Sequence, residues 1–226
     1  MADRAAGIPI VREGAPFVAV LSGVTALAAA LGWTTASIIL GGITLFTGWF
    51  FRNPHRIIPT LEGAVVAPGD GKIIEIQEDY EPRFLKEDAI RVSLFLNIFD
   101  VHVNRVPCEG RIDNVVYQPG QFIAANRPAA TLRNEQNALM IRAASGKKVL
   151  CVQVAGLIAR RIVCWVSPGD TVQCGERYGL IRFGSRMDVY LPKGTLLRVR
   201  IGDHVKGGAH VLGVLPDRRT TCVEGS

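Results

Sequence analysis

Gly184 and Ser185, in the run Arg182-Phe183-Gly184-Ser185-Arg186, are suited to chemistry on the chain itself. A glycine leaves its carbonyl unshielded and accepts unusual backbone angles, so a bond held there is open to attack by the neighbouring serine hydroxyl. The plainer reading of the same pair is a glycine kink between two strands with a solvated serine. Other reactive side chains narrow the choice. Cys108, Cys151, Cys164, Cys174 and Cys222 are odd in number and form no Cys-x-x-Cys or Cys/His cluster, which argues against a zinc site, any other metal centre or a disulfide framework. Most lie in apolar, strand-like surroundings, where a free thiol acts as a small hydrophobe, and a reducing cytoplasmic setting fits them.

The elements that must position this pair fall into two parts. The chain has 226 residues, 48% of them hydrophobic, with a mean hydropathy of +0.23, high for a soluble domain. A formal charge of +6 and a pI near 9.3 suit an anionic partner. Without a Lys/Arg run or aromatic residues interleaved with basic ones, that partner is read as a membrane surface and not as nucleic acid. From Gly14 to Phe51 there is no charged residue. The stretch is longer than one helix across a hydrocarbon core of about 30 Å, and Gly32-Trp33-Thr34-Thr35 breaks it in the middle. Arg12 precedes it and Arg52 and Arg56 follow, so residues 1–56 are expected to form an apolar α-helical membrane hairpin with both ends in the cytoplasm.

Residues 57–226 change character. Short Val/Ile-rich runs, Gly71–Gln77, Ile90–Leu96, Gly110–Tyr117, Ala138–Arg142, Lys148–Val154 and Leu196–Ile201, are separated by glycine and proline. They predict a mainly β domain, sandwich-like or barrel-like. Gly169-Asp170-Thr171-Val172 and Gly202-Asp203-His204-Val205 open two copies of Gly-Asp-x-Val-x-x-Gly, read as matching corners of one β fold. That echo is similar to the corner of biotinyl and lipoyl carrier domains and of membrane-fusion adaptors. It supports a second reading as a membrane-anchored adaptor or carrier module without catalysis, although the exposed lysine tip that a carrier needs is missing.

Four segments carry a closer resemblance: Phe51-Arg52-Asn53-Pro54-His55-Arg56 after the hairpin, Ala67-Pro68-Gly69-Asp70-Gly71-Lys72, Phe99-Asp100-Val101-His102-Val103-Asn104-Arg105-Val106-Pro107, and Phe183-Gly184-Ser185-Arg186 before the Pro192 turn. In this order they resemble the phosphatidylserine decarboxylases, in the short bacterial and archaeal form that includes archaetidylserine decarboxylases.

The resemblance implies a carboxy-lyase that converts phosphatidylserine to phosphatidylethanolamine and carbon dioxide. It also implies self-cleavage between Gly184 and Ser185 into a β chain, residues 1–184, and an α chain, residues 185–226, which stay associated. Ser185 would become a covalently bound pyruvoyl group, the cofactor that accepts electrons as carbon dioxide departs. Asp70 matches the family carboxylate that assists maturation. His102 is the candidate base for cleavage, proton donor after decarboxylation, or both. Longer members carry a second histidine where this chain has Arg105, and arginine is no base at ordinary pH. Asn104 and Arg105 are candidates to polarise the Gly184 carbonyl or hold the substrate carboxylate. Arg186, Arg182, Arg127 and Arg133 are candidates for the headgroup anions. Asn134-Glu135-Gln136-Asn137 resembles an Asn-Glu element of the longer enzymes. His55 is read as interfacial, His204 and His210 as structural. Location at the cell membrane with the catalytic domain on the cytoplasmic side, and a homodimer, complete the expectations.

Overall fold

A computed structural model describes residues 9–121, 133–156, 162–181 and 185–216. The chain divides into two compact units, residues 1–55 and 56–226.

The first unit is a helical hairpin of α1 (Ala15–Ala30) and α2 (Thr34–Phe50). Pro16 starts α1, where a missing N–H costs nothing, and Gly32, at φ +75°, makes the turn between the helices. The two helices pack on each other, with Thr25 Oγ1 and Thr44 Oγ1 3.2 Å apart. Elsewhere the apolar side chains face outward; Leu45 is 77% and Ile38 70% exposed. At 1.5 Å per residue the helices measure about 24 and about 26 Å. No helix among the described residues is long and apolar enough to cross a membrane, so the expected hairpin is present as an apolar helical hairpin and its membrane role is not supported by the helices.

The second unit is mainly β. Its largest sheet has eight strands in the order β13-β2-β3-β11-β7-β6-β5-β9. These are β2 (Gly71–Glu81), β3 (Glu87–Leu96), β5 (Gly110–Gln118), β6 (Gln136–Ala143), β7 (Lys148–Val154), β9 (Thr171–Val172), β11 (Ser185–Pro192) and β13 (His204–Val205). Two three-stranded sheets complete the unit. One has the order β1-β14-β12, from β1 (Ala64–Val66), β12 (Leu196–Leu197) and β14 (Val211–Val214). The other has the order β4-β10-β8, from β4 (Val103–Arg105), β8 (Ile162–Cys164) and β10 (Arg177–Ile181).

The alternation of the strands decides the core. Leu94, Leu139, Val149, Cys151, Met187 and Val189 share one buried face, while Leu150, Val152, Val154 and Tyr190 point the other way into a smaller cluster. The two Gly-Asp corners are the two edges of the large sheet, β9 and β13. In each, the aspartate accepts the N–H three residues back, Ser167 for Asp170 and Arg200 for Asp203, and the valine enters the core. The closing glycines, Gly175 and Gly208, have φ of +74° and +76°; a Cβ at Gly175 would strike Ile58, and one at Gly208 would strike Arg105. The run Leu196–Ile201, expected as one strand, pairs only at Leu196–Leu197, because the chain then turns through Arg200 and Gly202.

Candidate active site

β11 is an inner strand, paired with β3 from Ser185↔Leu96 to Pro192↔Ala89 and with β7 from Arg186↔Val154 to Tyr190↔Leu150. Ser185 is its first residue and is fully buried. Its side chain shares a face with Met187 and Val189, yet Oγ has no hydrogen-bond partner among the described residues. Leaving a buried hydroxyl unmatched costs about 1–3 kcal/mol and is uncommon in folded proteins, so a group kept in this state calls for a chemical reason. Gly184, Arg182 and Arg127 lie outside the described residues.

His102 is brought to the same neighbourhood through the backbone. β4 pairs with β10, and just before it the His102 carbonyl accepts the Ile181 N–H at 3.3 Å, three residues ahead of Gly184. The ring is fully buried, with Nδ1 3.0 Å from the Asp100 carbonyl oxygen. A carbonyl only accepts, so Nδ1 carries the proton and Nε2 keeps the basic lone pair of the neutral ring.

Asp70 belongs to a turn pressed against the Ser185 end of β3 and β11. A Cβ on the preceding Gly69 would lie 3.1 Å from both Leu96 Cδ2 and Met187 Sδ. The carboxylate accepts from Arg56 Nη2 at 2.6 Å and from the Gly207 N–H at 2.8 Å. Beside it, the Arg105 N–H donates to the Pro68 carbonyl, and Arg105 Nη1 donates to the Gly175 carbonyl at 2.9 Å. Burial, then the Arg56 and Arg177 guanidiniums, pull Arg105 down to about 10 against the opposing charge of Asp70.

Asn104 ends a chain of buried amides on the Ser185 face. Asn137 Nδ2 donates to Gln153 Oε1 at 2.8 Å, Gln153 Nε2 to Asn104 Oδ1 at 2.7 Å, and Asn104 Nδ2 to Met187 Sδ at 3.1 Å. A thioether is a weak acceptor, so the last donor of the chain is only partly satisfied, two residues along the strand from Ser185. Arg186 is placed differently. It points to the opposite face of the sheet, 2% exposed, where Asp188, Ser93 and Glu75 take its fork.

The chain matches the sequence model of the family described as phosphatidylserine decarboxylase over residues 43–213. It is 47% identical over 206 residues to the phosphatidylserine decarboxylase proenzyme of Syntrophus aciditrophicus, covering 90% of this chain and 96% of that one. Against the proenzyme of Nitrosomonas europaea the identity is 50% over 204 residues, with 90% and 94% covered. Against that of Geobacter metallireducens it is 45% over 218 residues, with 94% and 100% covered. The chain belongs to the phosphatidylserine decarboxylase family.

For a phosphatidylserine decarboxylase family member, the buried Ser185 hydroxyl, without a partner among the described residues, is the feature of this site that fits a reactive serine. Gln153 was not singled out in the sequence; its only signal is an amide inside the apolar run Lys148–Val154. Within the Asn134–Asn137 element, Asn137 joins the amide chain, and Asn134 Nδ2 donates to the Ala155 carbonyl at 2.7 Å. Arg133, His55, His204 and His210 are exposed. A cavity of about 730 Å³, lined by Glu62, Cys108, Glu109, Ala143 and Cys174 among others, lies where β6 finishes. Ser185 sits at the opposite end of the strands, so this cavity is not the reaction site. Among the described residues no three His, Cys, Asp or Glu side chains gather to hold a metal.

Proposed function

We infer that this protein is a self-processing phosphatidylserine decarboxylase, a carboxy-lyase that releases carbon dioxide from phosphatidylserine to leave phosphatidylethanolamine. The observation that carries the reading is the buried Ser185 Oγ, unpartnered among the described residues, at the first residue of an inner strand.

In maturation, Ser185 Oγ attacks the Gly184 carbonyl as His102 Nε2 takes its proton, and the Gly184–Ser185 amide becomes an ester with a free amine on Ser185. Loss of the Ser185 α-proton then expels the Gly184 carboxylate and leaves a double bond at position 185. Water replaces the nitrogen, ammonia departs, and a pyruvoyl group remains at the head of residues 185–226. Asp70 is assigned to holding the site together in this phase, through Arg56 and the Gly207 N–H. Asn104, whose amide is oriented by Gln153, is assigned to the anionic oxygen that develops at the Gly184 carbonyl and later to the substrate carboxylate.

When present, the pyruvoyl group at position 185 supplies the electron sink for decarboxylation. Around it the chain has its own tasks. Burial among Leu96, Met187 and the Pro68–Gly71 turn excludes water, and His102 returns a proton to the carbon that has lost carbon dioxide. Arg105 is assigned to the substrate carboxylate or phosphodiester. The two processed chains stay together because β11 remains laddered to β3 and β7, both from the upstream chain.

The reading places the protein at the cell membrane, with the catalytic unit on the cytoplasmic side. In support, α1 and α2 expose apolar side chains, and Thr25, Thr44 and Thr47 return their hydroxyls to carbonyls four residues back. Helices of about 24–26 Å fall a little short of a hydrocarbon core of about 30 Å. Pairing of two processed copies belongs to the same reading.

Denaturing mass spectrometry of the expressed chain beside Ser185→Ala tests this. The wild type should split after Gly184, its small fragment lighter than a serine-led peptide by the mass of ammonia, while the variant stays whole. A folded, membrane-bound wild type that also stays whole removes the cofactor from the reading and favours the adaptor module.

A further inference from the structure

We propose that Arg186 is a positioning residue, the clamp that holds the newly made end of β11 in place after the chain breaks. The inference rests on the cleavage described above, because only cleavage turns Ser185 into a strand terminus.

Before cleavage, residue 185 is tethered from both directions along the chain. Afterwards its only covalent link runs through Arg186. Its ladder is also one-sided: Ser185 has a register partner in β3, Leu96, whereas pairing with β7 begins at Arg186. Strand ends of this kind open first, and a reacting group carried on one would wander.

The Arg186 side chain answers that weakness. Its guanidinium is 2% exposed and reaches three residues on three adjacent strands. Nε donates to Asp188 Oδ1 on β11 at 2.7 Å, and Nη2 donates to Ser93 Oγ on β3 at 2.8 Å and to Glu75 Oε2 on β2 at 3.1 Å. Glu75 is itself held by Arg91, through two contacts of 3.2 Å. The clamp therefore ties the first residues of β11 across two strand boundaries. It does so from the face opposite Ser185, where it leaves the reaction space clear. A fork is required for this, since an ammonium cannot hold Asp188 in one direction and Ser93 with Glu75 in another in a fixed plane. Asp188 Oδ2 is buried without a partner among the described residues, so the orientation of that carboxylate depends on Arg186.

A merely structural ion pair and a terminal clamp differ in timing. The clamp is dispensable while the chain is continuous and needed once it is cut. Arg186→Lys and the milder Ser93→Ala are to be compared with wild type for extent of self-cleavage, for kcat and KM on phosphatidylserine, and for amide exchange over residues 187–189. The expected result is full processing in both variants. Exchange faster by on the order of tenfold should follow, in the processed form only. The kcat should fall by a similar factor, with KM within about twofold of wild type. Placed in a Ser185→Ala background, which stays uncut, the same substitutions should leave exchange unchanged. Processing and turnover lost in parallel, or processed variants with wild-type exchange and kcat, overturn the clamp; should Arg186→Lys fail to fold, Ser93→Ala decides. A wild type that stays whole removes the decarboxylase reading and the clamp together, whereas a processed wild type with insensitive variants removes the clamp alone.

Discussion

The Ile181 N–H donates to the His102 carbonyl at 3.3 Å, which ties the strand leading into the Gly184–Ser185 bond to the histidine by a contact that needs no side chain. Removing the imidazole therefore leaves the strand pairing in place. His102→Gln, which keeps most of the buried volume and an amide donor for the Asp100 carbonyl, is expected to hold the urea midpoint close to wild type and to lower turnover, self-cleavage or both by about 10²–10⁴-fold, the usual worth of a placed general base. Asp70→Ala should behave differently. It strips the acceptor from Arg56 Nη2 and from the Gly207 N–H at once, so it is expected to cost about 1–3 kcal/mol of stability as well as slowing cleavage. Urea titration alongside the cleaved fraction separates the two; equal stability losses in both variants would contradict the assignment.

The amide chain yields a second expectation. Gln153→Leu is close in size but removes the acceptor for Asn137 Nδ2 and the donor for Asn104 Oδ1 in a site that is 0–3% exposed. Two buried polar groups are stranded by one change, so the loss should reach about 2–4 kcal/mol, read from the shift in the denaturant midpoint. Asn104→Leu added to Gln153→Leu should cost less than the sum of the single changes, because the partner it would strand is already gone. Additive losses would show that the amides do not act as a unit.

Much of the architecture was legible because it depends on local period. Ile90–Leu96 and Lys148–Val154 alternate their inward side chains, and each Gly-Asp corner closes on its own backbone, so neither needed knowledge of distant residues. The site was legible only in part, for the opposite reason. Gln153 matters through its register with Met187 and Asn137, and the solitary Ser185 hydroxyl matters through its burial, facts that exist only once β11 is inserted between β3 and β7. Arg186 shows the same limit. One residue along a strand from Ser185 reads as nearness in sequence, but alternation sends the two side chains to opposite faces. The hairpin was recognisable from its uncharged composition, yet its helices end at Ala30 and Phe50, short of a span, because Gly32 and its neighbours take the turn from an already limited stretch.

Alkaline pH supplies the last expectation. Burial pushes Cys174 up to about 11 and Cys151 up to about 12, and raises Cys108 further still; Tyr190 rises to about 12 for the same reason. Free thiols ionise near pH 9, so above that value the unfolded chain sheds protons that the folded protein still holds. With fewer protons bound in the unfolded state, stability must fall as pH rises. The contribution of these thiols is complete below pH 9 and is lost as pH climbs through 11 and 12. Arg105, drawn down to about 10, acts in the opposite sense above that pH, since the folded state is relieved of a costly charge that the unfolded chain keeps. From pH 9 to 10 the thiols therefore lead the loss, since free tyrosine ionises about one unit later and Arg105 is only beginning to discharge. Urea midpoints measured at half-unit steps should be flat from pH 7.5 to 8.5 and decline from 9 to 10. Cys174→Ala should reduce the slope, and a midpoint that rises across the window would show that these thiols are not held protonated in the fold.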